Sequence, residues 1–215
     1  MVIAENSQLA MTVRIKFCGF TQAQDIAQAV ALGADTIGVV HHHASKRHVP
    51  LQDMPSLRIE VPTSKDLVAL FVNPDADEVL AVVQFLRPSI LQFHGDESNT
   101  FCAQFGLPFI KAMAMGIGAQ DIYARQTLYP DAAALLLDGH APGGLGGQGH
   151  AFAWREIALD KPVYLAGGLT VANVAQAIEI VKPYAVDVSS GIESSPGRKD
   201  LKKMQEFIRA ARQDA

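Results

Sequence analysis

Cysteine is scarce in this 215-residue sequence, with Cys18 and Cys102 as the only two. That excludes a disulfide framework, and their separation does not match a cysteine zinc site, so each thiol needs its own explanation. Long apolar runs are also missing. None approaches the roughly 20 residues that span a bilayer, which argues against a membrane partner. The first residues include Glu5, Asn6, Ser7 and Gln8 where a secretory signal is basic and then apolar, so a cytoplasmic location is expected. Basic charge is not in excess either: 18 Lys and Arg stand against 22 Asp and Glu, for a net charge of -4. A nucleic-acid partner, which needs clustered cations to neutralise phosphates, is therefore not expected.

What the sequence does have is a 49% hydrophobic composition with 19% charged residues, enough to bury a full core at a length that suggests one domain. No low-complexity linker divides the chain. Residues 1–11 read as a disordered extension, with Met11 as an alternative start, and residues 12–215 as the domain. From Val13 onward, short β-branched runs alternate with amphipathic stretches at a spacing of about 25 residues, the rhythm of βα units. Eight strands are predicted at 13–17, 36–40, 67–71, 90–93, 109–112, 134–137, 163–166 and 185–188. Helices are predicted over 22–32, 75–85, 97–105, 119–127, 171–180 and 201–211, with weaker candidates around 52–59 and 154–157.

The strands are continuous apolar runs, such as Ala134-Leu-Leu-Leu137, and so fit a parallel sheet covered on both faces. Thr21 and Thr170 are placed to cap helices, and Gly33 and Gly106 to end them. Eight parallel strands at this length close into a (β/α)8 TIM barrel more readily than they form an open doubly wound sheet.

In such a barrel the active site lies at the carboxyl ends of the strands. Cys18 ends the first strand, His94 the fourth and Asp138 the sixth, and Arg47 lies in the loop after the second. Cys18 reads either as a small buried hydrophobe or as a base. To act as a base it must be thiolate, and an unperturbed pKa of about 8.5 leaves little thiolate at neutral pH. Lys16, two residues back on the same lumen-facing side, is the cation that could help.

Asp138 reads either as a turn residue before Gly139 or, after its apolar run, as a proton donor. Cys102 and the pair Phe101 and Phe105 read as core. The turns at Gly167-Gly168 and at Ser190-Gly191, after the last two strands, read as a phosphate cradle built from backbone N–H groups.

The glycine-rich stretch 139–153 contains Gly144-Leu-Gly-Gly-Gln-Gly149, which formally spells a dinucleotide fingerprint. It sits too far past its strand and lacks a helix behind it, so it reads as a lid. His41-His42-His43, with His48 nearby, could ligate a transition metal, but no carboxylate joins them in sequence; no metal is assigned. A small-molecule sugar phosphate is the expected partner.

Several ordered blocks resemble the phosphoribosylanthranilate isomerase family from about residue 13 to the end. They are Lys16-Phe-Cys-Gly-Phe-Thr21, Ser45-Lys-Arg47, Leu70-Phe-Val-Asn73, Leu91-Gln-Phe-His-Gly-Asp-Glu97, Leu136-Leu-Asp138, Leu165-Ala-Gly-Gly-Leu169 and Val186-Asp-Val-Ser-Ser-Gly-Ile-Glu193. The resemblance implies a cofactor-independent Amadori rearrangement of N-(5'-phosphoribosyl)anthranilate in tryptophan biosynthesis. It further implies Cys18 as general base, Asp138 as general acid, Arg47 on the anthranilate carboxylate, and phosphate near Gly167, Gly168, Ser190 and Gly191.

The chain departs from the family at the mouth. His41 and His43 stand where an aromatic and a proline are usual, and Gln148, His150 and Ala153 replace a threonine, lysine and aspartate. A paralogous isomerase of a related phosphoribosyl amine and a non-catalytic phosphate-binding barrel therefore stay open. The state is expected to be monomer or homodimer.

Overall fold

The computed structural model describes residues 12–115, 120–139 and 157–212. Eight parallel strands, β1 (Arg14–Cys18), β2 (Thr36–Val40), β3 (Asp66–Phe71), β4 (Ile90–Phe93), β5 (Phe109–Ala114), β6 (Ala134–Asp138), β7 (Val163–Ala166) and β8 (Ala185–Val188), pair in sequence order. They close into a barrel when β8 pairs with β1. Closure leaves the eight strands without free edges, which fits their unbroken apolar character. The helices are α1 (Ala23–Ala31), α2 (Met54–Ile59), α3 (Ala76–Leu86), α4 (Asn99–Ala103), α5 (Gln120–Gln126), α6 (Val174–Val181) and α7 (Leu201–Arg212). Among the described residues, no helix is long and apolar enough to cross a membrane.

Side chains alternate along each strand between two apolar layers. Phe109, Met113, Leu135, Leu137, Leu165 and Val186 face the helices in the larger core. Ile110, Ala112, Leu136, Tyr164 and Ala185 fill the lumen. Phe93 lies at the centre of an outer aromatic group, with Phe71, Phe101, Phe105 and Phe109 at ring-centroid distances of 5.7, 6.0, 6.3 and 6.2 Å. Cys102 is fully buried in this core, as expected from its helix position, and both thiols are free.

The structure corrects the sequence reading where side chains were redirected. Thr21 does not cap α1: its hydroxyl donates to the Gly197 carbonyl at 2.6 Å, and Gln22 occupies the cap position without a side-chain bond. Thr170 does not cap α6. Instead Asn173 accepts from the Thr170 N–H at 2.8 Å and donates to the Gly168 carbonyl at 2.9 Å, which holds 171–173 as a turn and delays the helix to Val174. The helix expected over 97–105 shortens to Asn99–Ala103, because Glu97 turns inward as an acceptor and Ser98 becomes the N-cap.

Gly33 and Gly106 do adopt the left-handed conformation expected of them. A hairpin of β9 (Glu193–Ser195) and β10 (Arg198–Lys199) follows β8, where no strand was expected. Of the weak helix at 154–157 only Ile157 is described, and it is not helical. The N-terminal extension 1–11 and the glycine-rich stretch beyond Gly139 lie outside the described residues.

Truncating the ring at the centre of the outer core tests this packing. Phe93→Ala is expected to lower the unfolding free energy by about 3–5 kcal/mol in urea denaturation, and a loss below about 1 kcal/mol would contradict the burial.

Candidate active site

Two charged side chains lie opposite one another inside the barrel. Lys16 on β1 and Asp187 on β8 are register partners, and Lys16 Nζ stands 3.0 Å from Asp187 Oδ1 with the side chains 0% and 8% exposed. Neither charge could be buried alone, because desolvating an unpaired ion costs several kcal/mol. Burial, the largest influence on Lys16, pulls its pKa down, but Asp187 and then Cys18 outweigh it and raise it overall. The ammonium is therefore a permanent charge at neutral pH. Asp187 moves up from the ordinary carboxylate value, chiefly through burial and partly through repulsion by Asp138, while Lys16 pulls the other way.

Cys18 ends β1 one step further toward the mouth, on the same side of the strand as Lys16, and is 5% exposed. Gly38, its register partner on β2, makes room for it: a Cβ there would lie 2.6 Å from Sγ, so any side chain would displace the thiol. The Lys16 neighbour anticipated from sequence is present, but it does not win. Burial raises the Cys18 thiol, with Asp187 adding to the rise, and outweighs the lowering by Lys16 and Lys199. The resting group is a neutral thiol whose thiolate depends on those two cations.

Asp138 ends β6 and is half-buried, on the side of the strand that Leu136 turns to the lumen. Gly167 lies against it with φ +86°, and a Cβ at that glycine would sit 2.8 Å from Asp138 Oδ1. The carboxylate and the β7 turn thus share a space that only glycine permits. Asp187 feels the charges of both Cys18 and Asp138, so the thiol and the carboxyl border one electrostatic neighbourhood. His94, just beyond β4, has its pKa pushed down to about 4 by burial first and by Lys16 and Lys111, against the pull of Asp138 and Glu97. It is a neutral imidazole at physiological pH, in contact with the Gln92 amide.

Arg47 is engaged on one edge. Its Nε and Nη2 donate to the two oxygens of Glu193, each at 2.7 Å. Glu193 also accepts from Lys199 Nζ at 2.9 Å, and Lys199 donates in turn to the Cys18 carbonyl at 2.6 Å and the Ser189 carbonyl at 3.2 Å. A chain of charge thus fixes the loop after β2 to the ends of β1 and β8. The Nη1 side of the guanidinium stays outside that pair and can face a ligand.

Gly167 and Gly168 both have positive φ, and Asn173 pins their turn just ahead of α6. Ser190 and Gly191 lie in a one-turn 3-10 helix after β8. These four residues therefore sit on adjacent turns beyond the last two strands.

Sequence reasoning gave no role to Asp187, Glu193 or Lys199. For Asp187 a signal existed: a lysine and an aspartate within apolar strands, at lumen-facing positions, must neutralise one another. Glu193 closes one of the family-like blocks, but its partners could not be read from sequence, because the unforeseen hairpin β9–β10 brings Glu193 and Lys199 to Arg47.

Comparison with known proteins points to one family. The sequence pattern of one family, described as N-(5'phosphoribosyl)anthranilate (PRA) isomerase, matches residues 15–210. The chain is 45% identical over 206 residues to N-(5'-phosphoribosyl)anthranilate isomerase of Xanthomonas campestris pv. campestris strain 8004, with 93% of each covered. It is 46% identical over 201 residues to the enzyme of that name from Acidithiobacillus ferrooxidans, covering 93% of this chain and 98% of the other.

Among solved structures, phosphoribosyl anthranilate isomerase of Thermotoga maritima superposes with a TM-score of 0.80 at 31% identity, covering 93% and 98% of the two chains. A phosphoribosyl anthranilate isomerase in complex with reduced 1-(o-carboxyphenylamino)-1-deoxyribulose 5-phosphate superposes with a TM-score of 0.77 at 30% identity and the same coverage.

The clamp on Arg47 carries a pH signature. Burial alone would raise the Glu193 carboxyl, but hydrogen bonds from Arg47 and Lys199 hold it below the ordinary value. A carboxylate depressed in the folded state stabilises the protein above its unfolded pKa of about 4.3, and that contribution is lost as pH falls through the folded value. Between about pH 5 and pH 3 the melting temperature should therefore fall less steeply in Glu193→Gln than in the parent, and parallel curves would contradict the clamp.

Proposed function

The chain belongs to the N-(5'-phosphoribosyl)anthranilate isomerase family, and we propose that Cys18 and Asp138 are the base and the acid of its reaction. The protein is a phosphoribosylanthranilate isomerase of tryptophan biosynthesis built on a (β/α)8 barrel. The observation that carries the residue assignment is the buried Lys16–Asp187 pair, which faces the thiol from one side while Asp187 feels the Asp138 carboxyl from the other.

The chemistry is a series of proton transfers on one aminosugar. Asp138 donates a proton to the furanose ring oxygen, the C1–O bond breaks, and the nitrogen lone pair forms a C1 iminium. Thiolate Cys18 removes the C2 proton, and its electron pair closes a C1–C2 enolamine while the iminium nitrogen is neutralised. Protonation at C1 with loss of the C2 hydroxyl proton then gives the 2-ketone, 1-(2-carboxyphenylamino)-1-deoxyribulose 5-phosphate. No redox cofactor enters the balance, because oxidation at C2 is matched by reduction at C1. The Lys16 ammonium offsets the negative charge of the thiolate, in a lumen where such an interaction is stronger than in water.

The phosphate is placed on the Gly167, Gly168, Ser190 and Gly191 turns, whose backbone groups suit an anion. Arg47 is assigned the anthranilate carboxylate, which it meets with the edge that Glu193 leaves open. His94, uncharged, serves as a hydrogen-bonding wall beside the acid. The family pattern spans nearly the whole of 12–215, which supports reading that segment as one domain.

A narrower reading, a related phosphoribosyl amine as substrate, rests on His41 and His43 at the mouth; the other departures, Gln148, His150 and Ala153, lie outside the described residues. Fluorescence of the anthranilate moiety, lost on turnover, tests both substrate and residues. Purified protein should consume phosphoribosylanthranilate, and Cys18→Ser and Asp138→Asn should each lower turnover by at least about a hundredfold, as loss of a placed base or acid does. A parent-like rate in either variant removes that residue from its role, and an inert parent protein removes the substrate.

A further inference from the structure

The histidine run after β2 has no acidic partner in sequence, but the fold supplies one from α3. His41 Nε2 and His43 Nε2 each lie 3.9 Å from the same oxygen, Oε1 of Glu78. The three ligand-type atoms fall within 4.8 Å of one another. We propose that His41, His43 and Glu78 form a binding site for a divalent transition-metal ion of the zinc class, one that ties the loop carrying Arg47 to the start of α3.

Two of the three ligands are already oriented from behind. His41 is buried, and its Nδ1 lies 3.1 Å from the Val49 carbonyl. A carbonyl accepts only, so Nδ1 carries a proton, and in the neutral imidazole that a metal requires Nε2 holds its lone pair toward Glu78. That is the outer-shell arrangement by which metal-binding histidines are held in one tautomer. Glu78 is held in the same way. It stands at the third position of α3, where its Oε2 accepts the Asp75 N–H at 3.2 Å in a capping box and Oε1 is left to face the imidazoles. Asp75 and Asp77 add negative charge to that first turn, which offsets the repulsion of a cation by the helix N-terminus.

The spacing is close to what an ion requires. Zinc bonds of about 2.0–2.2 Å in a tetrahedron set neighbouring ligand atoms roughly 3.3–3.6 Å apart, so the two 3.9 Å pairs must contract by about half an ångström, while the two imidazole nitrogens, within 4.8 Å of each other, close by up to about 1.4 Å. His43 and Glu78, with side chains 77% and 37% exposed, have room to do so.

His48 flanks the group with its ring centroid 4.4 Å from that of His43 and 4.9 Å from that of His41. Its Nδ1 is buried and makes no hydrogen bond among the described residues. Three protein ligands leave a fourth position for water, and a metal-bound water is the kind of donor that this nitrogen lacks. Two imidazoles and a carboxylate suit zinc, copper(II) or nickel(II) better than calcium or magnesium. None of the three ligands is assigned to the proton transfers, so the ion acts as a clip on the mouth and takes no part in catalysis.

Equilibrium dialysis against zinc chloride tests the site without reading isomerase turnover. The parent protein should bind one zinc per chain at this site, and His43→Ala and Glu78→Gln should each weaken that binding at least tenfold. Glutamine keeps an oxygen for the capping box, so loss in that variant is not a loss of the helix start. The parent's melting temperature should rise with added zinc, and those of both variants should not. No saturable binding by the parent, or binding of equal strength in all three proteins, which would place the ion elsewhere, overturns the proposal.

Discussion

An ion pair sealed inside the barrel is the constraint on which the rest of the site depends. Lys16 and Asp187 meet across the β1–β8 seam that closes the sheet, with almost none of either side chain reaching water. Such a pair is a poor source of stability, since desolvation consumes most of the attraction, and apolar residues of similar volume often do as well. Its value is electrostatic. It puts a fixed positive charge one step below the thiol and a carboxyl group that interacts with both the thiol and Asp138, in a medium that screens neither strongly. Burial raises the thiol more than Lys16 lowers it, so Cys18 rests protonated and is drawn to ionise only by its cationic neighbours.

Around that pair the fold supplies space and rigidity. Gly38 gives up a side chain so that the thiol fits against β2, and Gly167 does the same for Asp138 against the β7 turn. Lys199 binds the Cys18 and Ser189 carbonyls and hands its charge to Glu193, which grips Arg47 by one edge. The loop after β2 is thus tied to two strand ends by charge. Lys111 does comparable work on the outer face, donating to the Phe93 and Gly95 carbonyls and to Glu97, and so holds the turn that carries His94.

The sequence made the frame legible because burial on two faces leaves a plain signature. Runs such as Leu135-Leu-Leu137 and Val39-Val40 admit few alternatives to covered parallel strands, and the strands expected over 36–40, 90–93, 163–166 and 185–188 have the same limits in the structure. Cys18, His94 and Asp138 were visible for a related reason, as polar residues that end apolar runs. Local side-chain bonding was less legible. Thr21 and Thr170 looked like caps, yet Gly197, 176 residues away, takes one hydroxyl, and Asn173 shapes the other turn. Glu193 and Glu78 could not be assigned from sequence for the same reason: their partners Arg47 and His41 come from distant loops that only barrel closure brings near.

Direct titration of the Cys18 thiol tests the central claim. Burial pushes the Cys102 thiol up to about 12, so the pH dependence of alkylation by iodoacetamide below that value reports Cys18. In Lys16→Met, and in Lys16→Met/Asp187→Asn, which leaves no unpaired charge in the lumen, the midpoint of that titration should move to higher pH than in the parent. An unchanged or lower midpoint in the folded double variant would show that the buried ammonium does not govern the thiol.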